Sequence, residues 1–406
     1  MNTAVNLLKS EPGRVVLGFV ALIGAFGLLR TGRLPGVAGS FVSALGNTGP
    51  NQMERDSITK NYYEELNDVD RDPEWNFGEG WLRPTVQRLA GIKRGGGEEK
   101  KQNWQSIAIY GATVDQPTGF IEHRLKPGWV GVHKGVDIHV NEWGHRDDDT
   151  YKKEKPQGEF RIALCGSSNS FGSGVPKEAT FEYLVEKRLN EALAGKGYDR
   201  YNIVNFSVPR YHLLERAYIA QNDTPEFHPD LILVAVTMRD LREAMFESVI
   251  RRVREGRELH YPFLREIVKN AEVKKTDSES RIKQLLGPYT TELAAAVLHD
   301  LKEFSDESGI PVAMLIMRLE VEGVDENLTK TSTMAAFAGV PVIELFDAYT
   351  GQKAKEMYLI PNQDYHPTIA GHARLADELY NDLMREPFRG LLTGPTDPAK
   401  EPTDGN

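Results

Sequence analysis

A single cysteine, Cys165, stands in a chain of 406 residues, which rules out any intrachain disulfide and any Cys-based zinc knuckle. That scarcity leaves the redox compartment open, because exported bacterial proteins also fold without disulfides. An excess of positive charge is missing too. The 59 acidic side chains against 49 basic ones give a formal charge of -10, so there is no electrostatic footprint for a phosphate backbone, and nucleic acid is not an expected partner. The histidines lack close metal-ligand spacing apart from His133 and His139, and a lone pair does not make a site. No metal and no cofactor is implied. No internal repeat is visible, and no apolar run reaches the roughly 20 residues of an ordinary membrane span. What is present is 40% hydrophobic and 27% charged residues, a globular composition large enough for one big domain or two ordinary ones.

One local feature departs from this average. Residues 15–29 (VVLGFVALIGAFGLL) carry no charge and are bracketed by Arg14 and Arg30. At ~1.5 Å per residue the run covers about 22 Å, short of the ~30 Å hydrocarbon slab, so spanning needs snorkelling arginines, local thinning or neighbours. The same length suits the apolar part of a secretory signal. However, the polar stretch Arg30-Thr31-Gly32-Arg33 follows at once, and the nearest small-residue exits, near Gly39 and Gly46, lie far downstream. Residues 1–33 therefore read as an uncleaved N-terminal membrane helix, ahead of a cleaved signal or a buried core helix. Lys9 and Arg14 before the run balance Arg30 and Arg33 after it, so the positive-inside rule does not orient it.

Composition divides the remainder. Residues 34–52 are Gly-, Ala- and Ser-rich and read as a linker. Residues 53–156 form an irregular, aromatic-dotted N-terminal subdomain with a few short strands; its tryptophans and tyrosines suit a carbohydrate-stacking surface or, more commonly, packing. The cluster Arg94-Gly95-Gly96-Gly97 precedes charge rather than an apolar helix, so it reads as a flexible loop and not a phosphate cradle. From residue 157 to 390 the pattern changes to short apolar runs, at 161–165, 202–206, 231–236, 312–317 and 342–345, alternating with amphipathic stretches near 181–193, 213–221, 292–304, 326–337 and 370–384. Runs without a polar face are buried on both sides, which predicts a five-stranded parallel sheet under helices on each face, a three-layer α/β/α sandwich. Residues 242–289 exceed an ordinary connection and carry two helical periods, so they read as an inserted helical hairpin, either a lid or a rim element. Residues 391–406 are rich in Pro, Thr, Asp and Gly and read as a disordered tail.

In an open parallel sheet, ligands bind beyond the carboxyl ends of the strands. Following the first run is Gly166-Ser167-Ser168-Asn169-Ser170-Phe171-Gly172, following the second is Ser207, following the third is Arg239-Asp240, and ahead of the last helix stands Asp364-Tyr365-His366-Pro367. A serine, a histidine and an aspartate at one sheet edge supply a nucleophile, its base and the carboxylate that orients the base. The same loops also suit plain tight turns and a helix start. His372, within the last helix, reads as a packing or capping residue.

The stretch RIALCGSSNSFGSGV, residues 161–175, resembles the first block of the SGNH/GDSL hydrolases, an apolar strand followed by Gly-Asp-Ser and a further Gly-Val. Asp364-Tyr365-His366-Pro367 with Gly371-His372 resembles the family's final block, and Asn141-Glu142-Trp143-Gly144-His145-Arg146 is similar to an Asn-x-x-Gly-x-Arg segment of exported, membrane-anchored members. The Tyr62-Tyr63-Glu64-Glu65-Leu66 stretch is similar to the front of some anchored members. The resemblance covers about residues 141–383. It implies a flavodoxin-like sheet, Ser168 as nucleophile, His366 as base, Asp364 as orienting group, and oxyanion donors at Ser168, Ser207 and Arg239. Departures accompany it: Ser167 stands where the family has Asp, Ser207 where it has Gly, and Arg239 where it has the donor Asn. Losing one such donor costs ~10²–10³ in rate. Two readings follow. One is a membrane-anchored, extracytoplasmic (periplasmic) ester hydrolase or acyl transferase acting on O-acylated glycans or small esters. The other is a catalytically degenerate SGNH-fold subunit serving as a structural or binding component beside membrane-protein partners.

Overall fold

The structure, a computed structural model, describes residues 107, 111–116, 119–147, 151–237, 240, 243–319, 326–360 and 364–394. The anchor expected at 1–33, the linker at 34–52 and the side chain of Arg239 lie outside the described residues. Among the described residues no helix is long and apolar enough to cross a membrane.

Two small antiparallel hairpins come first. β1 (Thr113–Asp115) pairs with β2 (His123–Leu125), and β3 (Val130–His133) pairs with β4 (Val136–His139). The β3–β4 turn is only Lys134 and Gly135, with φ of 50 and 76, the pair of positive values that a type I′ turn requires to match strand twist. Over its described part, the irregular subdomain is thus a set of short hairpins.

The sandwich begins with β5 (Glu159–Cys165), followed by the one-turn helix α1 (Ser168–Phe171), α2 (Phe181–Leu193), β6 (Arg200–Asn205), α3 (Leu213–Asn222) and β7 (Leu231–Thr237). The insertion holds α4 (Glu247–Glu255), α5 (Pro262–Asn270) and α6 (Glu279–Leu286). Then come α7 (Thr290–Ser308), β8 (Val312–Met317), α8 (Glu326–Ala338), β9 (Val342–Leu345), α9 (Ala354–Met357), the hairpin β10 (Tyr358–Ile360) and β11 (Asp364–Pro367), α10 (Ile369–Leu383) and α11 (Phe388–Thr393).

The main sheet runs β6-β5-β7-β8-β9 and is parallel throughout. Successive strand side chains point to opposite faces, and the two cores follow that alternation. Ile232, Val234 and Val236 of β7 join one cluster, with Leu213 and Ala217 of α3 and Val297 and Leu301 of α7. Leu231, Leu233 and Ala235 join the other, with Val185 and Leu189 of α2 and Leu375 and Leu379 of α10. Each fully buried Leu or Val contributes about 1.5–3 kcal/mol, so a sheet with two apolar faces is stable only when both are covered. The order reverses between β5 and β7, the topological switch point of an open sheet.

The insertion differs from the expected hairpin. It has three helices, and Val249, Leu264, Ile267, Ile282 and Leu286 enter the same core as α3 and α7. Arg252 donates to the Gly119 carbonyl at 2.9 Å and also to the Phe120 carbonyl, which pins the insertion to the N-terminal hairpins as a packed rim element. The tail also begins later than residue 391. Phe388 and Leu392, about one helical turn apart, are both buried in the second core, so α11 continues through Thr393 and only the remainder lies outside the described residues.

Candidate functional site

The first edge loop is fixed by its glycine. A Cβ at Gly166 would sit 2.5 Å from Ser170 Cβ and 2.8 Å from Ser207 Oγ, so no side chain fits where the chain leaves β5. Ser168 is then the first residue of α1 and is half-buried. The Phe171 N–H donates to the Ser167 carbonyl at 2.7 Å and the Ser173 N–H to the Ser168 carbonyl at 3.0 Å. Gly172 closes the turn with φ of 76. As the first helical residue, Ser168 has a backbone N–H with no intrahelical acceptor.

Arg146 clamps this loop from below. Its guanidinium, 2% exposed as a residue, donates to the carbonyls of Phe171 at 2.7 Å, Gly172 at 2.6 Å and Val175 at 2.6 Å. Burial pushes its pKa down to about 10, against the pull of Glu182 and Glu178. The segment ahead of it is a turn built by Asn141, whose Oδ1 accepts from the N–H groups of Trp143 and His145, both at 3.0 Å. The Asn-x-x-Gly-x-Arg spacing is therefore a device that delivers a cation beneath the Ser168 loop.

Asp364 and His366 stand on β11, and α1 packs against that strand. Both side chains are buried. Asp364 Oδ1 accepts from the His366 backbone N–H at 3.0 Å and contacts ring Nδ1 as well. Burial raises the carboxyl pKa, but His366 and Lys134 outweigh it and hold the group well below the usual range. An imidazole whose Nδ1 is engaged by a carboxylate exchanges protons through Nε2.

Lys134 is the residue that the sequence did not bring forward. Its Nζ lies 2.5 Å from Asp364 Oδ2 and 3.0 Å from His366 Nδ1. Two further imidazoles lie nearby. Burial, reinforced by Lys134 and His366, lowers His133 to about 3; burial, reinforced by Arg146 and His366, lowers His372 to about 3. Both stay neutral. His372 Nδ1 accepts the Phe181 N–H at 3.2 Å, which gives it the packing role expected.

The oxyanion candidates fare differently. Ser168 stands at the turn as described. Ser207 is buried beneath the loop, and its N–H already donates to Asn205 Oδ1 at 3.0 Å. Asn205 is in turn held by its amide, which donates to the Ser170 carbonyl at 2.9 Å and to Glu182 Oε1 at 2.8 Å. Any donation by Ser207 to a ligand competes with that bond. Arg239 lies outside the described residues; the neighbouring Asp240 accepts from Arg216 at 2.6 Å and Asp364 from Lys134.

A cavity of about 480 Å³ opens elsewhere, lined by Trp143, Phe206, Val208, Tyr211 and Phe227 among others; none of Ser168, Asp364 and His366 lines it. Its charged walls pair among themselves, Arg124 with Asp223 and Lys153 with Glu226.

No protein-family profile matches the chain, and no curated protein does. Among solved structures it is similar to LAE5, an alpha/beta hydrolase enzyme from the metagenome of Lake Arreo, with 13% identity over 55% of this chain and 94% of that one and a TM-score of 0.36. It is similar to Axe2, an acetylxylan esterase from Geobacillus stearothermophilus, with 11% identity over 55% and 94% and a TM-score of 0.35. A lipase/acylhydrolase from Enterococcus faecalis gives 13% identity over 55% and 95% and a TM-score of 0.33. The fold is SGNH-like, as its own sheet order and edge blocks display.

Proposed function

We propose that the protein is a serine ester hydrolase or acyl transferase. Ser168 Oγ attacks the acyl carbonyl carbon while His366 Nε2 takes its proton, and Asp364 holds the ring and balances the imidazolium. Collapse of the tetrahedral intermediate transfers that proton to the leaving alcohol. Water or an acceptor hydroxyl, deprotonated by the same nitrogen, then releases the acyl group and restores Ser168. The observation that carries this reading is the buried Asp364–His366 pair on the strand against which the Ser168 turn packs.

O-acylated glycans or small esters are the proposed substrates. The apolar segment at 15–29 is proposed to hold the domain at a membrane on its extracytoplasmic side. Purified full-length protein should hydrolyse p-nitrophenyl acetate, and Ser168→Ala should reduce the rate to background; equal rates for the two would overturn the assignment.

A second reading, a scaffold subunit without turnover, is favoured by one observation: the Ser207 N–H is engaged by Asn205 rather than presented to a ligand. Detergent extraction and sizing test it. A solitary monomer with robust esterase turnover contradicts the scaffold, whereas co-purification in a larger assembly without turnover supports it.

A further inference from the structure

Lysine is rarely buried unless paired, yet Lys134 is 8% exposed and occupies the first central position of the β3–β4 turn with φ of 50. Asn, Asp or Gly is the usual choice there, because a Cβ is crowded at positive φ. A strained, buried lysine needs a compensating interaction, and the ion pair with Asp364 Oδ2 at 2.5 Å supplies it. We infer that Lys134 is a positioning residue of the site: by holding Asp364 Oδ2 it keeps Oδ1 on His366, and its cation limits how readily the ring retains a proton. The inference deepens the Ser168–His366–Asp364 reading and rests on it. It also makes the N-terminal hairpins part of the active site, since the lysine reaches it from 230 positions away in sequence.

The electrostatics work in two directions. A cation beside Asp364 offsets the desolvation of the carboxylate and keeps it ionised, as a proton-balancing partner must be. The same cation, 3.0 Å from Nδ1, opposes the charged form of the imidazole. Among the described residues, the titratable and charged groups that face His366 are Asp364 on its own strand, Lys134 and His133 from the hairpin, His372 from α10 and Arg146 behind them. His133 and His372 remain neutral, and Arg146 is tied to three carbonyls. Among the described residues, Lys134 is thus the cation in hydrogen-bond reach of the ring. The ring then sheds its proton more readily after each transfer, and a neutral base is present at lower pH than an Asp–His pair alone would allow.

The test uses full-length Lys134→Met, of similar length without charge. Its acid limb in the pH profile of kcat/KM for p-nitrophenyl acetate should move up by about one pH unit, and Lys134→Arg should return it toward wild type. In parallel, NMR titration of His366, assigned through His366→Gln, is followed in Ser168→Ala and in Ser168→Ala combined with Lys134→Met, where no turnover is needed. An upward move of the ring titration in the double variant supports the inference; an unchanged titration overturns it. Wild-type protein without Ser168-dependent hydrolysis would sink the enzyme reading, while the titration still decides the role of Lys134. Should Lys134→Met fail to fold, Lys134→Arg and Lys134→Gln carry the same comparison.

Discussion

The backbone N–H of His366 and its own ring nitrogen Nδ1 converge on one oxygen, Oδ1 of Asp364, the backbone bond measuring 3.0 Å. One residue separates the two in sequence, so the strand itself sets the side-chain pairing. In the proposed mechanism the proton on Nδ1 faces the carboxylate and Nε2 acts as base.

Asp364→Asn should therefore act on rate and stability together. The amide no longer fixes the tautomer, and hydrolysis should fall by roughly 10³–10⁴. Lys134 also loses its buried counter-charge, which should cost about 3–5 kcal/mol of folding stability. Steady-state kinetics and urea unfolding read the two effects; a loss of rate below about tenfold contradicts the assigned role.

Arg146→Met should destabilise the fold by about 3 kcal/mol or more, because three buried carbonyls lose a charged donor. Since those carbonyls belong to the Ser168 loop, kcat should fall more than KM rises. Arg146→Lys should recover little, as one ammonium cannot reproduce the planar fork.

Asn205→Ala should cost about 3 kcal/mol, since it strips partners from the Ser207 N–H, the Ser170 carbonyl and the buried Glu182. Burial raises the pKa of Glu182 against Thr180, Asn205 and Arg146, so loss of the amide should raise it further. Urea unfolding of the variant checks the cost.

Three buried histidines should make their contribution to stability fall as the medium is acidified below neutrality. Burial lowers His133, His145 and His372 from 6.5 to about 3. Between those values the unfolded chain binds protons that the folded chain refuses, so unfolding is favoured as pH drops and stability rises with pH. Asp364, depressed below 3.8, adds a loss only at the acid end, as pH falls through its folded value. Urea midpoints across this window check the slope, and His372→Gln, which keeps an acceptor for the Phe181 N–H, should flatten it.

The parallel sheet is readable because β7 and β8 are buried on both faces, and the runs at 312–317 and 342–345 coincide with the observed strands. β5 starts two residues before its apolar run because the Glu159 carboxylate is buried by Arg161, 2.6 Å away, and a paired charge inside a strand is silent to hydropathy. The third insertion helix, Glu279–Leu286, buries Ile282 and Leu286 and lies beyond the two helical periods visible in the sequence. At the candidate site, the end blocks point to Ser168, Asp364 and His366, and the last two are in contact on β11. Lys134 left no local signal beyond a Lys-Gly turn, since its meaning lies in a contact between two distant segments. The Asn205 bond to the Ser207 N–H is likewise a tertiary fact that a Gly-to-Ser departure does not disclose.

The most direct measurement of the central claim is labelling of full-length protein with a fluorophosphonate probe, which reacts only with a serine whose proton is being withdrawn. Wild type should label covalently, the adduct should map to Ser168, and labelling should vanish in Ser168→Ala and fall sharply in His366→Ala. An unlabelled wild type, or labelling that survives Ser168→Ala, would contradict the nucleophile assignment.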